Sequence, residues 1–265
     1  MDHSRVRHSR IQRSRRGPAL KLVLALMLLS LVMITPMLAW NLTGEKAALG
    51  LNYTLRSAEL ASGGTTTARW NPCQKAIVWR ANLSGWSAGQ RPAMLKQIQT
   101  AVARVTKVTG MKYRYAGTTT FIPRQENLAS APADIVVAVI NPKTTNFSFS
   151  ENSLGYGGVL WATWYGGDGE GAAVVRGYAI LIPSGMKKLK PGFGPGNRQG
   201  NVILHEMGHA TGLDHVRSKA QQMYPDLTAK SPNGFAPGDV QGLTKIGTKA
   251  GCISVPSRVN ITDYN

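Results

Sequence analysis

His205-Glu-Met-Gly-His-Ala-Thr-Gly-Leu-Asp-His215 is the stretch on which the reading of this chain turns. It meets the pattern H-E-x-x-H-x-x-G-x-x-H at every specified position. His205 and His209 stand four residues apart, so on a helix both imidazoles leave one face, a turn apart. That places two nitrogens where a tetrahedral Zn²⁺ binds them. Glu206 lies beside the first, close enough to hold a metal-bound water without ligating the metal. Gly212 is free to take the positive φ that ends a helix abruptly. The chain then turns back and delivers His215 as a third ligand, leaving one coordination position open for water.

By average residue usage, H-E-x-x-H alone arises in roughly one chain in a hundred of this length, and the full pattern is about a thousandfold rarer. The histidines sharpen the point. Of five, His3 and His8 fall in an arginine-rich N-terminal tail, and the other three are the motif positions.

These residues resemble the metzincin metallopeptidases, whose long zinc motif is followed by a methionine-containing turn. Gln221-Gln222-Met223-Tyr224-Pro225 stands in that place, with Met223 eight residues after His215. The Met-Tyr-Pro form is similar to the matrixin branch. The resemblance implies that Met223 forms a hydrophobic floor beneath the zinc site, a role that is itself packing. It covers residues 69–252, is carried by motifs from 196 to 247, and rests on element order before that. The implied fold is α+β: a twisted, five-stranded, mostly parallel sheet above a cleft, an active-site helix below it and a C-terminal helix.

The implied activity is zinc-dependent endopeptidase action on a protein or peptide substrate, with His205, His209 and His215 on the metal and Glu206 as general base. An extended substrate would lie along an edge strand, Gly157 to Thr163 by position. The loop from Tyr224 to Phe235 would wall the main specificity pocket. Two alternatives stand beside this: zinc-dependent hydrolysis of another target, such as a cell-wall cross-link, and a surface interaction module without catalysis. Intact Glu206 speaks against lost chemistry.

The first 21 residues form a basic tail, with seven Lys or Arg against one Asp. Residues 22–40 are nineteen residues without a charge, just long enough to span a bilayer as a helix. The basic flank predicts a cytoplasmic N-terminus, hence a single-pass anchor in the cell membrane with the catalytic domain outside. Cleavage as a signal peptide after Ala39 would instead give a secreted protein, but Met37 stands where a small residue is expected. Ser14-Arg15-Arg16 hints at a twin-arginine signal. Residues 41–68 are polar and irregular and read as a stalk, and residues 69–265 as one metallopeptidase domain.

Cys73 and Cys252, the only cysteines, sit near the two ends of that domain. In an oxidising compartment a bridge between them would contribute up to about 4–5 kcal/mol by chain entropy. Matrixins suggest a rival role, a propeptide cysteine that blocks the open zinc position. Asn71-Pro72-Cys73-Gln74 does not match that motif, so the disulfide is preferred. Formal net charge is +18, and from residue 22 onward 24 Lys or Arg face 12 Asp or Glu without forming a run. That spread implies no nucleic-acid partner; attraction to anionic surfaces or plain solubility accounts for it. No feature asks for a second subunit, so the chain reads as a monomer.

Along the chain, Lys75 to Asn82 is rich in strand formers. Arg91 to Thr109 carries Met94, Leu95, Ile98, Val102, Val105 and Val108 at helical spacing, with Pro92 in its first turn and Gly110 after it. Strands are expected over Lys112–Gly117, Asp134–Ile140, Gly157–Trp164 and Arg176–Ile182, and a last helix over Pro237–Ile246. The glycine-rich stretch Gly166 to Gly171 holds Asp168 and Glu170, which offer oxygens to Ca²⁺ as such loops of matrixins do. Two acids do not make a coordination set.

Overall fold

Ile135-Val-Val-Ala-Val139 has no polar residue to turn toward water, and all five of its residues are buried. A strand of this kind belongs in the middle of a sheet covered on both faces. The computed structural model describes residues 52–165 and 169–254, with the backbone of 260–262. In chain order the strands are β1 (Thr54–Leu55), β2 (Ser57–Glu59), β3 (Thr65–Thr67), β4 (Ile77–Asn82), β5 (Tyr113–Thr118), β6 (Ile135–Val139), β7 (Gly155–Trp164), β8 (Gly171–Leu181), β9 (Leu213–Asp214) and β10 (Asn260–Thr262). The helices are α1 (Arg91–Thr109), α2 (Gln199–Thr211) and α3 (Pro237–Ile246), besides a single turn at Pro183–Met186.

The sheet runs in the order β5-β4-β6-β8-β7, with short β10 outside β7. β4 pairs in parallel with β5 and β6, and β6 with β8, whereas β7 runs antiparallel to β8. The fold is thus mixed α/β around a five-stranded, mostly parallel sheet. Ile135, Val137 and Val139 face one core with Met94, Ile98 and Val105 of α1 and Ile203 and Leu204 of α2. Val136 and Ala138 face the other, with Leu128, Phe147 and Tyr178. Helix α1 bridges the parallel pair β4 and β5, which cannot be joined by a tight turn. It ends at Gly110, whose φ of 71° lets its N–H return to Thr106 O.

Two expectations differ from the structure. The segment 52–68, read as stalk, carries β1, β2 and β3 and is built into the domain. Strand β1 pairs with β9, Arg56 N–H donates to Gly212 O at 2.9 Å, and the Arg56 guanidinium lies 3.5 Å from Asp214. Strands this short have no alternation to read; their partner in space makes them. The edge of β7 is also shorter than expected, because β10 pairs with it over Trp161–Thr163. Among the described residues, no strand pairs with that edge from Gly155 to Leu160.

The single-pass placement in the membrane is corrected. No helix among the described residues is long and apolar enough to cross a membrane, since α1 buries one stripe and turns polar residues outward on the rest. The tail 1–21 and the segment 22–40 lie outside the described residues, and the placement is not carried further. Cys73 and Cys252 are joined, with Cα atoms 5.3 Å apart, which ties the approach to β4 to the segment after α3. Neither sulfur is left to act as a latch. Asn71 Nδ2 donates to Ile253 O at 2.7 Å beside the bridge.

Candidate metal centre

Helix α2 is buried on almost every side, so its direction is set by what surrounds it. At its start Asn201 Nδ2 donates to Gly194 O and Gly196 O, both at 2.8 Å, and holds the incoming loop. At its end Trp70 Nε1 donates to Ala210 O at 3.0 Å. Gly212 then takes φ 118°, with its N–H shared between Gly208 O and His209 O. The turn leads directly into β9, which β1 holds, and so to His215.

The three imidazoles meet. His205 and His209 Nε2 are 3.1 Å apart, His209 and His215 Nε2 3.1 Å, and His205 and His215 Nε2 3.2 Å. His205 Nδ1 lies 2.8 Å from Gln222 O and His209 Nδ1 3.0 Å from Leu213 O. A carbonyl only accepts, so both Nδ1 atoms carry their protons and both Nε2 atoms present lone pairs. Such lone pairs cannot satisfy one another; a cation between them would. Tetrahedral ligands at about 2.0–2.1 Å from zinc stand about 3.3–3.4 Å apart, close to the spacing observed. Desolvation disfavours charge on these rings: it drives His205 down to about 4 and holds His209 and the more exposed His215 below the ordinary imidazole value. Among the described residues no other group of three His, Cys, Asp or Glu is close enough to share an ion.

Glu206 is buried at the floor of the same cleft. Burial pushes its carboxyl up to about 8, opposed by the Gly157 N–H that donates to it. Two glycines make room for it. A Cβ on Gly155 would stand 2.6 Å from Glu206 Oε1, and one on Gly157 2.5 Å from Glu206 O. Sequence reasoning placed Gly157 on the substrate strand but did not see that β7 and α2 touch here. The only signal was the alternation of glycine in Gly155-Tyr-Gly157.

The turn after β9 closes the site from below. Met223 is buried, and its Sδ fills the space where a Gly208 side chain would stand, between the two helical histidines. Asp239, in the first turn of α3, holds that turn: its carboxylate accepts from Gln222 N at 2.8 Å, Met223 N at 3.3 Å and Ala236 N at 2.8 Å. Burial raises its carboxyl to about 6 against the pull of those three N–H groups. Gln222 in turn supplies the carbonyl that orients His205. Gln221 reaches both ways, accepting from Asp239 N at 2.8 Å and donating to Asn52 O. In the sequence Asp239 is only an acid in the first turn of the helix expected over Pro237–Ile246; its hold on the methionine turn shows in the fold alone.

The resulting cleft, of about 420 Å³, is lined by the imidazoles, Glu206, Gly155 to Gly157, Tyr224 and Leu227. Compared with models of known families and with curated proteins, the chain matches none. The calcium expectation gains nothing: Asp168 lies outside the described residues, and Glu170 accepts from Ser62 N–H and O–H instead.

Gly212 gives a direct test of the ligand geometry. A side chain there meets Ala68 O at 3.1 Å, and the positive φ is a strained setting for a β-branched residue, costing about 1–3 kcal/mol. Gly212→Val is expected to weaken metal retention about tenfold or more in a chelator titration, approaching His215→Ala. Retention equal to the parent's would mean that His215 does not depend on this turn.

Proposed function

We propose that this protein is a zinc-dependent endopeptidase of the metzincin kind, similar to matrixins. The observation that carries the reading is the convergence of three imidazoles beside a buried carboxylate, in a cleft bounded by a strand edge that no strand among the described residues covers from Gly155 to Leu160. His205, His209 and His215 would hold zinc, which would supply Lewis acidity to acidify a water and polarise a carbonyl. Glu206 accepts the proton of the attacking water and returns it to the leaving amine, acting first as base and then as acid. The edge of β7 from Gly155 to Leu160 offers backbone N–H and C=O groups to an extended peptide, and Tyr224 to Leu227 with Ser231 wall the pocket for a side chain.

The test is metal analysis of the purified protein together with cleavage of casein or a mixed peptide set. The expected result is about one zinc per chain and cleavage abolished by chelation. Zinc without cleavage of any peptide would remove the peptidase and leave the metal centre. Absence of zinc after loading would remove both.

A further inference from the structure

Strand β8 covers one edge of β7, and on the other edge β10 pairs antiparallel with it: Asn260 lies opposite Thr163, Ile261 opposite Ala162 and Thr262 opposite Trp161. An extended peptide that adds to β7 would lie in the lane that β10 already enters. Antiparallel pairing is the more stable per residue, and it is how β7 meets both of its neighbours. A peptide running in the direction of β10 has its N-terminal part toward Trp161 and its C-terminal part toward Gly155. The length available between β10 and the site is short. Glu206 meets β7 at Gly155 and Gly157, where an added Cβ would stand 2.6 Å from Oε1 and 3.0 Å from Oε2 of its carboxylate. From there to Trp161 the strand offers Gly157, Gly158, Val159 and Leu160, about 14 Å at the rise of a strand. The ladder changes at the same limit: β8 carries one residue more than β7, Val175, opposite the step from Leu160 to Trp161, and such a bulge bends the strand.

We infer that β10 closes the peptide groove at its Leu160 end, so that at most about four residues on the N-terminal side of the cleaved bond pair with β7; the inference rests on the peptidase reading above. A longer peptide must leave the edge at Leu160 or displace β10. Each residue that pairs raises affinity about 1.4- to 5-fold through its cross-strand contacts. A residue turned away from the edge loses those contacts, so recognition on that side is confined to the positions opposite Gly157 to Leu160.

The test uses the zinc-loaded protein and N-acetylated alanine peptides, about two to six residues long, each ending in a hydroxamate so that the peptide extends from the metal toward β10. Calorimetry is expected to show affinity that rises with length and stops rising by about four residues. The companion variant is Asn260→Pro/Ile261→Pro in the full chain. Facing alternates along a strand, so one of these two residues loses a ladder N–H, and β10 is weakened whichever it is. In that variant the fifth and sixth residues are expected to raise affinity at least about twofold together. A rise that continues to the longest peptide in the parent, the same limit in the variant, an equal gain at every length, or binding of none would overturn the inference. The parent series stands without the variant, should the variant fold poorly. Failure of the two readings is distinguishable. A protein that shows the expected limit but cuts no peptide loses the peptidase and keeps the closed groove. One that cuts peptides but shows no limit loses only the closure.

Discussion

Glu206→Ala is expected to fold, to hold about one zinc per chain, and to lose about 10²–10⁴ of its peptide-cleaving rate. The separation of effects follows from position. The imidazoles meet through Nε2 atoms, and their Nδ1 protons rest on Gln222 O and Leu213 O, so no part of the ligand geometry passes through Glu206. Burial disfavours charge on this carboxyl, so its removal relieves the fold of a desolvated acid while taking away the proton acceptor. Metal content and kcat measured on the same preparation decide the matter. Loss of zinc together with activity would show that Glu206 helps hold the metal and that the division of roles is wrong.

Gly157→Ala should damage the site from the other side. Its Cβ would stand 2.5 Å from Glu206 O and 3.0 Å from both Glu206 Cα and Oε2, inside any tolerable contact. Strand and helix must part, or Glu206 must move. Overpacking of this kind costs about 1–3 kcal/mol, a fall in Tm of roughly 2–12 °C at this size. A shift of about 1 Å in a reacting group costs about a hundredfold in rate. Gly89→Ala, where an added Cβ meets nothing within 4 Å, is the control and should leave both quantities unchanged. Parent-like activity in Gly157→Ala would mean that β7 and α2 do not touch as described.

Much of this site was legible because its decisive residues are local. Two of the three converging imidazoles, the buried carboxylate and the helix-ending glycine lie within eight consecutive residues, and the third imidazole follows three residues later. Helices α1 and α3 were readable to their ends because Pro92, Gly110 and Pro237 mark them. What escaped was long-range. Thr54-Leu55 becomes a strand only because Leu213-Asp214 lies beside it. Strands β7 and β8 begin earlier than expected, at Gly155 and Gly171, where glycine and alanine carry little strand propensity and neighbouring strands order the chain. The glycines at 155 and 157 carry their meaning through an atom of Glu206, and no inspection of either stretch alone exposes that.

The pairing of β1 with β9 also sets an order of assembly. His205 and His209 come together as soon as α2 forms, because a helix is local structure. His215 is placed only when residues 54–55 have found residues 213–214, a closure across most of the domain and among the slower kinds of contact to make. A chain halted partway through folding, or still emerging from the ribosome, would therefore hold two imidazoles and not three. On that order the three-histidine cluster is completed late, and a metal held by all three would report that distant parts of the chain have already met.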